Sequence, residues 1–208
     1  MRVPIHHDTP EPRAVRRAVE ILRSGGIVIY PTDTVYGLGC SVEDKNAIER
    51  IHLIKRQRPD KPFSFVCSDL THIAEYAQVS NMAFKTMKHL IPGPYTFILP
   101  AARMKQLPKI LISRRKTVGI RVPDSPLTQA LVRDLGHPIL STSVTGEDGE
   151  VLTDPDVIAE RLNNVVQMIL DAGELRADTS TVVDLTGDRP EVIRRGAGDT
   201  SMFEEATS

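Results

Sequence analysis

The chain has 208 residues, a net charge of −1, and 40% hydrophobic against 25% charged residues. These numbers fit one domain that buries roughly 70% of its unfolded surface without disulfide or metal staples. No apolar run reaches the length of a membrane span and no apolar stretch follows the charged N-terminus, so a soluble, cytoplasmic protein with no membrane partner is expected.

Only 4% of the residues are aromatic and none is Trp, so the core must be aliphatic. Cys40 and Cys67 sit in apolar contexts that suit reduced core cysteines. The small net charge hides an asymmetry: between Glu147 and Glu191 twelve acids face three arginines, a local −9 that leaves +8 elsewhere. Within that remainder, Arg103, Lys105, Lys109, Arg114, Arg115 and Lys116 stand together with no acid among them. Such a segment is either a solvated basic loop or the contact for an anionic partner, a polyphosphate or an RNA.

In chain order, residues 1–10 read as a polar tail, and His6-His7-Asp8 belongs to it rather than to a metal site. A helix is expected from Glu11 to Ser24, with Ala14, Ala18, Ile21 and Leu22 on one face, Pro12 in its first turn and Gly25-Gly26 at its end. Ile27 to Ile29 is a buried strand, ended by Pro31, which lacks an amide donor. Gly37 and Gly39 mark a turn. Asp44 caps a helix with Ala47, Ile48, Ile51 and Ile54 on its apolar face.

Phe63 to Cys67 is a strand, Asn81 to Leu90 a helix, and Tyr95 to Leu99 a strand; the basic segment that follows reads as a hairpin or loop. Val118 to Val122 is a strand, Pro123 to Leu135 a helix, and Pro138 to Ser143 a strand. Asp154 caps a helix to Leu162, and strands follow at Val165 to Leu170, Thr181 to Leu185 and Val192-Ile193. Interleaved helices and strands predict a single α/β domain over residues 11–200, flanked by a C-terminal tail at 201–208. Its sheet should be twisted and mixed, with helices packed on it and a ligand cleft at strand ends.

Two clusters carry chemistry. Residues Tyr30-Pro31-Thr32-Asp33-Thr34 set hydroxyls and a carboxylate at a strand's end. Lys55, Arg56, Arg58 and Lys61, with Pro59 and Pro62, gather four cations on a stiffened turn after a helix. They suit a triphosphate, or they simply answer the helix dipole. Arg121, between apolar neighbours, reads from the sequence alone as a strand residue that points to solvent.

The stretch Gly26 to Gly39 resembles the signature of the YrdC/YciO family, whose best-known activity is threonylcarbamoyl-AMP synthesis for tRNA modification. Further resemblances run to Gly196. Lys55 falls on the lysine of the family's Lys-x-Arg-Pro element, with Gln57 in the arginine's place between Arg56 and Arg58; a one-residue slip reads Arg56-Gln57-Arg58-Pro59 instead. Ser141-Thr142-Ser143 resembles the Ser-x-Asn element, with Thr145 in the asparagine's place. Thr117 to Pro123, Ser180 to Asp184 and Ile193 to Gly196 resemble three further family segments. The altered elements and the chain length point to the YciO branch.

The resemblance implies a YrdC-like fold. Thr34, Arg121, Ser141 and Ser180 are then expected to hold L-threonine. Lys55, Arg56, Arg58, Lys61, Thr117, Ser143 and Arg194 are expected to hold ATP, with Mg2+ carried on its phosphates. Bicarbonate is the third substrate, and no catalytic base stands out. The alternative is a YciO-type protein that binds nucleotide and double-stranded RNA or tRNA, using Arg103, Lys105, Lys109, Arg114, Arg115 and Lys116, without efficient synthesis.

Overall fold

The computed structural model describes residues 1–55, 63–102 and 116–204. Arg56, Arg58, Lys61, Arg103, Lys105, Lys109, Arg114 and Arg115 therefore lie outside the described residues.

Ten strands form one mixed sheet among the described residues: β1 (Arg2–Pro4), β2 (Val28–Tyr30), β3 (Gly37–Ser41), β4 (Ser64–Val66), β5 (Tyr95–Pro100), β6 (Thr117–Arg121), β7 (Ile139–Ser143), β8 (Met168–Asp171), β9 (Thr181–Asp184) and β10 (Glu191–Arg194). Their order is β1-β8-β2-β3-β7-β4-β6-β5-β9-β10. Seven helices accompany them: α1 (Pro12–Arg23), α2 (Lys45–Lys55), α3 (Leu70–Tyr76), α4 (Asn81–Met87), α5 (Pro126–Leu135), α6 (Pro155–Leu162) and α7 (Ser201–Glu204). None is long and apolar enough to cross a membrane.

The two-residue period of the strands divides the apolar side chains between two cores. Ile27, Ile29, Leu38, Phe65, Leu140 and Ile169 face one core, closed by Ile48 and Ile51 of α2, Ile73 of α3, Met87 of α4 and Ile158 of α6. Val28, Tyr30, Val66, Ile139, Met168 and Leu170 face the other, closed by Val15, Val19 and Leu22 of α1 and Leu127, Leu131 and Leu135 of α5. The expected caps are in place: the Asp44 carboxylate accepts from the Ala47 amide at 2.7 Å, and that of Asp154 from the Asp156 amide at 2.8 Å.

Four expectations need correction. Residues 1–10 are not all tail: β1 pairs in parallel with β8, Ile5 is buried, and Arg2 makes ion pairs to Asp156 and Asp171. The face of α1 is centred on Val15, Ala18, Val19 and Leu22, with Ala14 and Ile21 at its margins. At the C-terminus, Ser201–Glu204 form a helical turn with Phe203 buried.

The fourth correction bears on the site. Gly37 and Gly39 lie in a strand, antiparallel to β2 and to β7. A Cβ on Gly39 would sit 2.8 Å from the Tyr30 ring and 2.6 Å from Ile139, and one on Gly37 would meet the same ring at 3.0 Å. These glycines admit the ring of a fully buried tyrosine against the strand, a close approach that any side chain would block.

Candidate functional site

The sheet face that carries Tyr30 is only partly covered by α1 and α5, and beyond them it opens into a cleft of about 430 Å3. Cross-strand register explains the opening. Gly39 of β3 lies opposite Ser141 of β7, Ser141 opposite Ser64 of β4, Ser64 opposite Gly119 of β6, and Gly119 opposite Ile98 of β5. Ser141, Ser64, Gly119 and Ile98 all line the cleft. Small residues on successive strands thus leave a shallow trough where a sheet face would ordinarily bear large side chains. The trough is continuous with strand ends at Thr32, Ser143 and Ser180, and its volume suits a small-molecule ligand.

Seven of the eight described residues expected to hold ATP or threonine line this one cleft: Lys55, Thr117, Arg121, Ser141, Ser143, Ser180 and Arg194. The described lining contains those three cations, ten serine or threonine hydroxyls and no carboxylate, a surface that favours an anionic ligand. Thr34 stands one layer back. It is buried, and its hydroxyl is shared between Thr32, at 3.0 Å, and Arg121, at 3.1 Å. Thr32 lines the cleft in its stead. Lys116, from the candidate RNA segment, is exposed just before β6, and its backbone carbonyl accepts from Ala101 at 2.9 Å.

Arg121 ends β6 with a side chain only 12% exposed. One terminal nitrogen donates to Asp33 at 2.6 Å and to Thr34 at 3.1 Å, and Asp33 also accepts from the Asp124 amide at 3.1 Å. The Arg121 Nε is buried with no partner among the described residues. Burial pulls the guanidinium below its usual pKa, opposed by the Asp33 and Tyr30 oxygens. The side chain does not point to solvent: it is fixed by an ion pair and keeps an unused donor. Tyr30 beneath it donates to the Ser141 hydroxyl at 2.8 Å, and burial pushes its phenol up to about 12.

The opposite wall is a hydroxyl pair with an arginine behind it. Thr96 and Ser180 are hydrogen-bonded at 2.8 Å, and Arg194 on the rim donates to the Ser180 carbonyl at 2.8 Å. Partial burial, then the charge of Arg121, lowers the Arg194 pKa. An anion entering between the two arginines would relieve that repulsion. At the far end, the Lys55 ammonium donates to the Ser143 carbonyl at 2.9 Å and to the Thr145 hydroxyl. Tyr36, whose hydroxyl donates to the Gly173 carbonyl at 2.7 Å, also lines the cleft.

Sequence reasoning did not single out Asp33, Ser64, Thr96 and Gly119 for this site. Asp33 stands in the signature itself, but the other three become recognisable only through strand register. Among the described residues no group of three or more His, Cys, Asp or Glu side chains converges on a metal position.

Over residues 20–196 the sequence matches the family model Sua5_yciO_yrdC, described as Telomere recombination. The chain belongs to the Sua5/YciO/YrdC family. Escherichia coli K12 YciO is 47% identical over 202 residues, covering 96% of this chain and 97% of that one. Its crystal structure superposes with a TM-score of 0.92, at 44% identity and 98% coverage of both chains. The threonylcarbamoyl-AMP synthase of Vibrio vulnificus YJ016 is 30% identical over 159 residues, 75% of this chain and 84% of the relative. Pyrococcus abyssi Sua5, crystallised with L-threonine, gives a TM-score of 0.90 at 28% identity, covering 99% of this chain and 60% of that one.

Proposed function

We propose that the protein is a threonylcarbamoyl-AMP synthase-like enzyme that joins L-threonine, bicarbonate and ATP. The observation that carries this reading is the convergence of seven residues, from segments scattered between Lys55 and Arg194, on one cleft whose described lining holds no carboxylate. Relatives that cover most of this chain are named threonylcarbamoyl-AMP synthases, and a structural neighbour binds L-threonine.

The chemistry asks little covalent help from the protein. The threonine amine adds to bicarbonate and water leaves, giving a carbamate. A carbamate oxygen then attacks the α-phosphorus, and pyrophosphate departs. Positioning and charge stabilisation carry such a reaction. In this reading Arg121, with its unused Nε, orients the threonine carboxylate. Thr34 acts through Arg121, and the Ser141 and Ser180 hydroxyls hold the polar groups of the amino acid. Lys55, Thr117, Ser143 and Arg194 contact the nucleotide, joined by Arg56, Arg58 and Lys61. Magnesium arrives on the phosphates as part of the substrate.

A second reading, a nucleotide and RNA binder without efficient synthesis, is favoured by Thr145 standing where synthases of the family are expected to carry an asparagine; Arg103 to Lys116 would supply its RNA contacts. Release of pyrophosphate that needs both threonine and bicarbonate, with the adenylate seen by mass spectrometry, supports the first reading. No such release, beside an active YrdC control, eliminates it. RNA binding that weakens steeply with salt would then support the second.

A further inference from the structure

Tyr30 ends β2, and Gly37 stands opposite it on β3. The tyrosine ring does not stay over its own strand. A Cβ on Gly37 would meet the ring at 3.0 Å and the Ser141 Oγ also at 3.0 Å, and one on Gly39 would meet the ring at 2.8 Å. Ser141 lies opposite Gly39 on β7. The side chain therefore crosses β3 along a lane that the two glycines leave clear. Its hydroxyl reaches a serine on the next strand but one.

At the end of that lane the Tyr30 hydroxyl donates to the Ser141 Oγ at 2.8 Å. The tyrosine is fully buried, and burial pushes its phenol up to about 12, so it stays a donor at neutral pH. A phenylalanine would fill the same space with no hydroxyl to satisfy. The hydroxyl instead holds the Ser141 Oγ in one place, where a serine side chain otherwise samples several staggered rotamers. Ser141 gives up one lone pair to Tyr30 and keeps its proton and a second lone pair. Both remain available to the cleft that Ser141 lines. An amino acid, which offers an ammonium to donate and a carboxylate to accept, can use either.

We propose that Tyr30 is a positioning residue for the amino-acid ligand: it does not touch the ligand, but fixes the Ser141 hydroxyl that does. The assignment deepens the synthase reading above and rests on its placement of L-threonine at Ser141. It also gives Gly37 and Gly39 a part in binding, because any side chain at Gly37 would stand between the two hydroxyls and one at Gly39 would displace the ring.

Calorimetric titration of the full chain with L-threonine is the test, on the wild type, Y30F, S141A and Y30F/S141A. Each is also titrated with Mg·ATP alone and checked by its melting curve. Y30F keeps the ring and loses only the hydroxyl, so its melting temperature should stay near that of the wild type. Its threonine affinity should fall about fivefold, while its affinity for Mg·ATP stays within about twofold of the wild type. S141A should bind threonine about tenfold more weakly. Adding Y30F to S141A should change that affinity by less than about twofold, because Tyr30 acts through Ser141. The proposal is overturned if Y30F binds threonine as the wild type does, or if the losses in Y30F and S141A add. It is also overturned if Y30F weakens threonine and Mg·ATP alike, as a distorted sheet would. Parallel turnover assays separate the two conclusions: threonine binding with these mutant effects but no pyrophosphate release refutes the synthase reading and leaves the positioning role standing. Turnover with an unaffected Y30F does the reverse, and a wild type that binds no threonine overturns both.

Discussion

Replacing Asp33 by asparagine removes the charge that holds Arg121 while keeping the shape. The pair is 2.6 Å apart, with side chains 9% and 12% exposed, so the guanidinium left behind can recover little hydration. Breaking a buried ion pair by removing one partner costs about 3–5 kcal/mol. In D33N the new side-chain carbonyl would still accept from the Asp124 amide, and Thr34 would still meet Arg121. Those surviving bonds place the loss near the lower end, about 3 kcal/mol. For a chain of this size that corresponds to a melting temperature lower by about 6–12 °C. Urea unfolding at pH 7, followed by far-UV circular dichroism, should show a lower midpoint at unchanged slope. A loss below about 1 kcal/mol would refute the reasoning. So would a D33N/R121M double variant as damaged as the sum of the single ones, since that additivity would mean the two side chains do not depend on each other.

Three further outcomes follow from the same structure. Gly119→Val should fill the trough at Ser64 and Thr96, where a Cβ would already lie 3.2 and 3.6 Å away. Nucleotide affinity should fall at least about tenfold with a melting temperature near wild type; unchanged affinity would move the ligand elsewhere. Cys40 and Cys67 are free and buried; burial pushes the Cys40 thiol up to about 12 and raises that of Cys67, so a thiol reagent should label neither until the chain is unfolded. Burial lowers the pKa of both His52 and His72. The unfolded chain therefore binds more protons as pH falls through the ordinary histidine value near 6.5, and stability should drop across that window. H52Q/H72Q should flatten the urea-midpoint profile between about pH 7.5 and 5.5, and an equal slope in that variant would contradict the assignment.

Helices α1, α2, α4, α5 and α6 and the inner strands other than β3 are legible in the sequence because their apolar residues recur with the right period and their caps are local, whereas α3 and α7, both short, are not. Nor does the sequence show β1, a three-residue strand with exposed ends, held by Arg2 through carboxylates 154 and 169 positions away. It misleads at Gly37 and Gly39, where glycine reads as a turn although it serves the approach of Tyr30. The apolar face of α1 is displaced because Val15 and Val19 compete with Ala14 and Ile21 for the same stripe, and only the packing against α5 decides between them. In the site, residue types and family motifs bring Arg121, Ser141, Ser180, Lys55 and Arg194 into view. The cooperation of Arg121 with Asp33, 88 residues away, and the trough of Ser141, Ser64 and Gly119 are properties of strand register. No single segment contains them.

The central claim is that one cleft holds a nucleotide and an amino acid at once. Calorimetric titration of Mg·ATP, with and without saturating L-threonine, addresses it directly. Threonine should tighten ATP binding, because its carboxylate engages Arg121 and relieves the repulsion of Arg194. ATP binding indifferent to threonine, or no ATP binding at all, would contradict the claim.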